Sequence, residues 1–251
     1  MIEKSDQRIA KRLSRAGVCS RREAERWIRE GRISVDGREV SKPGTLVTEK
    51  SIIRVDGKTV AAPQATRLWR YHKPPGLICT NNDPNGRSTI YDRLPDSLPR
   101  VMSVGRLDFD SEGLLLLTND GSLARHLELP ETGWTRRYRV RMFGIPDEKD
   151  IAALKKGIVI EGTKYGAIEA VLDSKKGANA WLTVSLREGK NRELRKVFNH
   201  LGYKVSRLIR TSYGPFQLGK LDRGGVEGVP KRVLKDQIRA GLFNADYRRQ
   251  A

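Results

Sequence analysis

The chain contains few of the residues that build metal centres or disulfide frameworks. Its 251 residues include only two cysteines and three histidines. Cys19 and Cys79 are too few and too far apart to form a disulfide framework, and no spacing of Cys and His resembles a zinc site. We therefore expect a fold without disulfides and without a bound metal.

Long hydrophobic runs and common catalytic motifs are missing as well. The longest apolar run is the four leucines at 114–117, far short of the roughly 20 residues that span a bilayer. No apolar stretch follows the polar N-terminus, so we expect no secretory signal, no membrane association and a cytoplasmic location. The glycine-rich phosphate-binding loops and the serine-hydrolase elbow are absent, which argues against nucleotide-driven and serine-hydrolase chemistry.

Positive charge is abundant. Lysine and arginine number 49 against 30 aspartates and glutamates, a net charge of +19. Such a balance predicts a polyanionic partner, most often nucleic acid. A basic surface that only confers solubility is the alternative. A membrane-surface role is disfavoured, because no long amphipathic helix with a lysine-rich polar face occurs.

Residues 6–62 are predicted to form a small α/β domain. Two helices are expected, the first ending at Gly17 and the second opened by a capping box at Ser20–Glu23. Two strand-turn-strand segments follow, centred on Asp36-Gly37 and on Asp56-Gly57.

The two helices of this segment are crowded with basic residues. Like charges this close repel one another unless a polyanion neutralises them. In the runs 9–18, 20–25 and 28–37 the segment resembles the S-four-type RNA-binding domain, which implies binding to structured RNA by shape and phosphate contacts. We expect the phosphate contacts from residues that can point away from the apolar stripe: Lys11, Arg12, Arg15, Arg21 and Arg22.

A short linker at 61–66 leads to a second domain, predicted to cover residues 67–245. Short strand-like runs outnumber helices there, which predicts an α+β class with a largely antiparallel sheet. The expected strands are 101–104, 114–118, 138–143, 180–186 and 204–210. The expected helices are 122–128, 147–156, 191–201 and, after these, 231–239.

The most distinctive polar stretch of this domain is the glycine-flanked segment 105–113, which runs into the four leucines. Asp108, Asp110 and Glu112 are all candidate catalytic acids, and spacing alone does not choose among them. A turn whose aspartates hydrogen-bond local backbone amides explains the same pattern without catalysis.

Five motifs in order resemble those of the RNA pseudouridine synthases, in the subfamily that acts on bacterial ribosomal RNA. The resemblance implies a mainly antiparallel mixed sheet with flanking helices. The motifs are Lys73–Gly76, then Asn82–Arg87 with Asp92–Pro95, then Gly105–Asp108, Arg137–Val140 and Glu188–Arg195; the second is typical of the large-subunit branch.

The resemblance also implies roles for single residues. Asp108 would be the catalytic carboxylate, Tyr138 the aromatic that packs on the target base and a candidate for proton abstraction, and Arg195 the cation paired with the aspartate. Other matched residues would shape the pocket or bind phosphate: Arg106, Leu194, Lys190 and Arg192.

The implied activity is the isomerisation of one uridine of 23S ribosomal RNA to pseudouridine, without metal or organic cofactor. The substrate would be the free RNA or a large-subunit assembly intermediate, and we expect a monomer. A non-catalytic RNA-binding assembly factor on the same fold is the alternative. An RNA hydrolase is a third possibility, but it needs a second carboxylate such as Asp110 or Glu112, which no motif supports.

Overall fold

A computed structural model describes residues 6–129 and 133–237 and divides them into two compact units. The first unit runs to Arg67 and includes the segments 97–102 and 119–121. The second begins at Leu68 and contains the rest of the described chain. The predicted end of the second domain, at residue 245, lies outside the described residues.

The first unit packs two helices on short strands. The predicted capping box is present, because the Ser20 hydroxyl accepts from the Glu23 amide and the Glu23 carboxylate accepts from the Ser20 amide. Both Asp-Gly turns have positive φ at both residues, the geometry of the expected tight hairpins. The elements are β1 (Gln7–Arg8), α1 (Ile9–Arg15), α2 (Arg21–Arg29), β2 (Ile33–Val35), β3 (Arg38–Glu39), β4 (Leu46–Val47), β5 (Ile53–Val55) and β6 (Lys58–Thr59); their core is built from Ile9, Leu13, Ala24, Ile28, Ile33 and Ile53.

The second unit is built on a nine-stranded mixed sheet, which confirms the predicted class. Its elements are β7 (Leu68–Lys73), β8 (Met102–Val104), β9 (Glu112–Thr118), α3 (Gly121–Glu128), β10 (Arg136–Phe143), α4 (Glu148–Leu154), β11 (Ile158–Ile160), β12 (Thr163–Tyr165), β13 (Ile168–Lys176), β14 (Asn179–Leu186), α5 (Glu193–His200), β15 (Lys204–Tyr213), β16 (Phe216–Gln217), β17 (Val226–Gly228) and α6 (Lys231–Gln237). Residues 238 and 239 of the last predicted helix lie outside the described residues.

The central strands of this sheet follow the order β13-β14-β10-β15-β9-β7-β17, with β8 and β16 paired at its side. Along this order β9 and β15 pair in parallel, and the neighbouring pairs on either side of them are antiparallel. Among the helices of residues 6–129 and 133–237, none has the length and apolar character to cross a bilayer.

At Gly113 the backbone of β9 lies tightly against that of β15. It pairs with Arg210 and has a φ of +106°, and a Cβ built on it would lie 2.3 Å from the Arg210 carbonyl oxygen.

We expect Gly113→Ala to lower the free energy of unfolding by ~2–5 kcal/mol, because it adds backbone strain to a steric clash. Urea unfolding measures the loss. Gly177→Ala is the control, since Gly177 also has positive φ but open space around it, and an equal loss in both variants would contradict the clash.

Candidate active site

A buried lysine fixes the backbone of the loop that carries Asp108. This loop, residues 105–111, joins β8 to β9. Lys73, at the end of β7, is fully buried, and its Nζ donates to the carbonyl oxygens of Asp108 (3.1 Å), Ser111 (2.9 Å) and Pro74 (3.0 Å). Burial lowers the pKa of Lys73. Three carbonyl dipoles converge on this ammonium, so the loop and the lysine depend on each other.

Two further contacts restrain the same loop. The Gly76 amide donates to the Phe109 carbonyl oxygen at 2.7 Å, and Cys79 Sγ lies 3.3 Å from the Leu107 carbonyl oxygen. The Asp108 side chain itself remains 29% exposed. The backbone of this residue is therefore held while its carboxylate is open to solvent, as a group that must meet a substrate requires.

Among the described residues, the cation nearest to the Asp108 carboxylate is Arg192, not Arg195. Arg192 Nη1 lies 3.9 Å from Asp108 Oδ2, and its guanidinium donates to both carboxylate oxygens of Asp110, at 3.0 and 2.9 Å. Arg195 Nε lies 3.3 Å from Asp110 Oδ2, and its Nη2 donates to the Asp110 carbonyl oxygen at 2.9 Å. Arg195 thus contacts Asp110 through both side chain and backbone and interacts with Asp108 only through its charge, so its pairing with Asp108 stays a prediction.

The two arginines determine the charge state of Asp110. Burial alone would raise the pKa of Asp110, but the hydrogen bonds from Arg192 and the charge of Arg195 outweigh it and lower that pKa. Burial lowers the pKa of Arg195, which lies against this carboxylate. Asp110 thus joins both cations into one ionised cluster beside Asp108.

Arg192 reaches this position through an unusual backbone conformation. It precedes α5 as the N-cap residue with φ 51° and ψ 32°, in the left-handed region. That conformation costs a non-glycine residue roughly 1–2 kcal/mol, and such strain concentrates at functional sites. The strained residue is the one that places a guanidinium between Asp108 and Asp110.

Tyr138 lies in the same row of the sheet as the lysine that holds the loop. Four residues pair in register across β7, β9, β15 and β10: Lys73, Gly113, Arg210 and Tyr138. Tyr138 is 8% exposed and shares the buried face of β10 with Val140 and Met142. Side chains in register point to the same face of a sheet, so Tyr138 and Arg210 lie on one face.

The other predicted site residues of this unit are placed as follows. Leu194 is buried on α5, and Arg106 is exposed. Lys190 contacts the Glu188 carboxylate and donates to the Lys164 carbonyl oxygen at 2.8 Å, so its ammonium faces protein groups, where a phosphate contact was expected. Among the described residues no group of three or more His, Cys, Asp or Glu side chains could hold a metal ion.

In the first unit the residues predicted to bind phosphate differ in their exposure. Arg21 and Arg22 are exposed and Lys11 is half-buried. Arg12, by contrast, is 6% exposed, and burial lowers its pKa. Arg15 lies 3.3 Å from the Asp120 carboxylate and donates to Thr66 at 2.7 Å. On this seven-residue helix Arg12 is buried and Arg15 is half-buried beside Asp120, so both face protein groups here, and their phosphate contacts stay predictions.

A pair of carboxyl groups lies at the base of the loop before α5. Glu193 is 4% exposed and accepts from the Lys190 amide at 2.8 Å, while Glu188 accepts from the Gly166 amide at 2.5 Å. Burial, and next to it the neighbouring Glu188, raise the pKa of Glu193 to about 8. Glu193 therefore keeps its proton at neutral pH.

This raised pKa makes stability depend on pH. Glu193 holds a proton up to about pH 8 in the folded state but loses it near its ordinary value of 4.5 when unfolded, so the free energy of unfolding should fall as pH rises from 5 to 8. We expect Glu193→Gln to flatten that fall by about 1–3 kcal/mol in urea unfolding across this range. Glu169→Gln, at an exposed position, is the control. The same slope of stability against pH in wild type and Glu193→Gln would contradict a proton held on Glu193 in the folded state.

The sequence did not reveal the structural contacts that three residues make: Lys73, Asp110 and Arg210. Lys73 was visible as part of a motif, but nothing in the sequence showed that its ammonium reaches the Asp108 loop. Asp110 was weighed only as a catalytic acid. Arg210, 3% exposed with Nε donating to the Leu114 carbonyl oxygen at 2.7 Å, gave no signal, since a buried arginine in a strand resembles an exposed one in sequence.

Two sequence profiles match the chain. The profile described as RNA pseudouridylate synthase matches residues 67–200, and the profile of the S4 domain matches residues 7–53. The first match covers more than half of the chain and includes the Asp108 loop, Tyr138 and all of α5.

Known proteins agree with these profiles. A protein of Rickettsia bellii described as an uncharacterized RNA pseudouridine synthase is 46% identical over 91% of this chain and 99% of its own length. The ribosomal large subunit pseudouridine synthase B of Yersinia pestis is 43% identical over 87% of this chain and 71% of its own length. A crystal structure of a pseudouridylate synthase covers 91% of this chain and 98% of its own, with a TM-score of 0.65 at 24% identity, and shows the shared fold. The chain therefore belongs to the RNA pseudouridylate synthase family and is an isomerase with an S4 RNA-binding domain at its N-terminal end.

Proposed function

We propose that this enzyme converts one uridine of 23S ribosomal RNA to pseudouridine, with Asp108 as the catalytic carboxylate. The observation that carries the proposal is the loop geometry: Lys73 clamps the Asp108 backbone while its carboxylate stays open beside Arg192. The 23S assignment is supported by the resemblance to the large-subunit branch and by the name of the 43% identical relative from Yersinia pestis.

The reaction requires a group that manages positive charge at the ribose. The bond between ribose C1′ and uracil N1 breaks and the base turns. A bond forms between C1′ and C5, C5 then loses its proton to a base, and N1 gains a proton, so that substrate and product are isomers. Charge that develops at C1′ resembles that of glycoside hydrolysis, where carboxylates serve. A carboxylate at Asp108 can attack C1′, stabilise its charge, or take a proton from the neighbouring C2′.

The remaining residues support this step. Arg192 Nη1, 3.9 Å from Asp108 Oδ2, places a positive charge beside the reacting carboxylate. Tyr138 packs on the target base and is a candidate acceptor for the C5 proton. The target base must leave its stack to reach Asp108, so the enzyme acts on a flipped nucleotide. Substrate and product are isomers and nothing is oxidised, so the proposed reaction requires neither metal nor organic cofactor.

The setting of the reaction is proposed along with its chemistry. The substrate is 23S RNA, free or in a large-subunit assembly intermediate, and the enzyme works as a cytoplasmic monomer. The S4 domain contributes affinity for structured RNA through Lys11, Arg21 and Arg22.

A strain that lacks the gene tests the substrate assignment. Carbodiimide-dependent reverse-transcription stops in its ribosomal RNA should be missing at one uridine of 23S RNA, and the wild-type gene should restore that stop. A stop missing only from 16S RNA or from transfer RNA would contradict the 23S assignment, and an unchanged pattern would contradict the function.

A further inference from the structure

We infer that the enzyme has a second RNA-contacting surface, on the face of the large sheet opposite to Tyr138. Along β10 the residues Tyr138, Val140 and Met142 are buried, and the residues between them are exposed. This exposed surface, called here the arginine face, consists of Arg137, Arg139, Arg141, Arg207 and Trp181.

The arginine face concentrates charge in a way that folding alone disfavours. Three arginines alternate along β10, and Arg141 stands directly opposite Arg207 of β15. Like charges in directly opposite cross-strand positions are destabilising. Within the residues that the structure describes, Arg137 and Arg141 have no ion-pair partner. A polyanion that binds across these strands would relieve the repulsion.

Carboxylates on this face neutralise only part of the charge. Asp173 of β13 lies 3.7 Å from Arg139, and Glu112 of β9 contacts Arg207. Glu112 also faces Arg223, at 2.9 Å, so it is shared between two cations. Glu169, also exposed on β13, adds one more negative charge. The row formed by Arg137 and Arg141 remains available for phosphate.

Trp181 gives the arginine face an aromatic platform. It is only half-buried and lies on β14 opposite Arg141. Guanidinium groups flank its ring, with Arg139 at 4.9 Å and Arg207 at 6.0 Å from the centroid. Exposed aromatics on a sheet, surrounded by cations, are a common platform on which unpaired bases stack.

The combination of alternating arginines and a partly exposed tryptophan ring favours single-stranded or looped RNA over other anionic partners. Residues two apart on a strand are ~6.8 Å apart, the scale of neighbouring phosphates on one RNA strand. Arginine supplies forked donors to each phosphate, and Trp181 supplies a stacking surface for the base between them. Because this face is opposite to Tyr138, the RNA bound there is a segment other than the reacting nucleotide.

A triple variant tests the inference with a matched control. Arg137→Gln, Arg139→Gln and Arg141→Gln together remove three charges from the arginine face. Lys149→Gln, Lys155→Gln and Lys156→Gln together remove three charges from exposed positions around α4. Binding to a full-length 23S RNA transcript is measured by filter retention at several salt concentrations, and the rate of tritium release from RNA labelled at uridine C5 is measured at saturating enzyme.

We expect the arginine-face variant to bind RNA about tenfold or more weakly than wild type, with a salt dependence shallower by about 2–3 in log–log slope. The lysine control should change both values less. Trp181→Ala should weaken binding about tenfold, whereas Trp181→Phe should retain most of the affinity. The reaction rate at saturating enzyme should stay within about twofold of wild type, because the substituted residues lie on the face of the sheet opposite to Tyr138.

Equal affinity and salt slope in the arginine-face and lysine variants would overturn the inference. Unchanged RNA binding combined with lost binding to phosphatidylglycerol vesicles would also overturn it, in favour of a lipid surface. The binding measurements do not depend on Asp108, so a failure here leaves the proposed catalytic role untouched. The arginines are exposed, so the triple variant keeps the test valid if melting shows that Trp181→Ala does not fold.

Discussion

Asp108→Asn is expected to abolish conversion of uridine while leaving RNA binding intact. The amide matches the carboxylate in shape but cannot carry its negative charge, so it can neither attack C1′ nor accept a proton. By analogy with other enzymes that lose a central reacting group, the single-turnover rate should fall on the order of 10⁴-fold or more. Tritium release from RNA labelled at uridine C5 measures that rate.

The side chain of Asp108 contributes little to folding, so its replacement isolates the chemistry. It is partly exposed, and its nearest cation is 3.9 Å away. The variant should therefore keep the wild-type melting temperature and RNA affinity. Asp96→Asn, at an exposed position, is the matched control and should retain full activity. A single-turnover rate for Asp108→Asn within about tenfold of wild type would show that Asp108 is not the catalytic carboxylate.

Lys73→Met is expected to cost both stability and activity. Methionine fills a similar volume but leaves the carbonyl oxygens of Pro74, Asp108 and Ser111 without their shared donor. An unsatisfied buried polar group costs roughly 1–3 kcal/mol, so we expect the free energy of unfolding to fall by about 2–4 kcal/mol after relief of the lysine's own desolvation. The released loop should misplace Asp108 and lower the single-turnover rate about 100-fold.

Urea unfolding and tritium release at low temperature separate these two effects. At a temperature where circular dichroism shows the variant folded, any remaining rate loss reports the position of the Asp108 loop. Lys220→Met, an exposed lysine in the same unit, is the control and should change neither quantity. A folded Lys73→Met variant with the wild-type rate would show that the clamp is dispensable.

Local patterns in the sequence predicted the small elements well. Ser20 and Glu23 form the expected capping box, and the Asp-Gly turns at 36–37 and 56–57 take the expected hairpin geometry. These features depend on a few adjacent residues, whose backbone preferences act regardless of the rest of the chain.

Strands whose pattern is set by distant partners were harder to see. The sequence pattern predicted no strand at β13, because the C-terminal half of this segment is polar and exposed. A strand at the edge of a sheet tolerates such residues. β7 was missed as well: its run of leucine, tryptophan, arginine, tyrosine, histidine and lysine alternates poorly, yet β9 and β17 cover both of its edges. Such strands are determined by neighbours far along the chain.

In the candidate site, too, local motifs could be predicted from the sequence, whereas contacts between distant residues could not. Motif resemblance named Asp108, Tyr138 and Arg195, and the structure places Asp108 in a clamped loop. The partner of Arg195 could not be read from sequence, because Asp108 and Asp110 are two residues apart and equally charged. Only the fold decides which carboxylate the arginine reaches.

The most direct test of the central claim is site mapping on RNA modified by the purified enzyme. Unmodified 23S RNA made by transcription, and large-subunit assembly intermediates from a strain lacking the gene, are incubated with wild-type protein and analysed by carbodiimide-dependent stops. We expect one new stop at a single uridine in at least one of these substrates, without added metal or cofactor. No new stop in either substrate, with RNA binding intact, would contradict it.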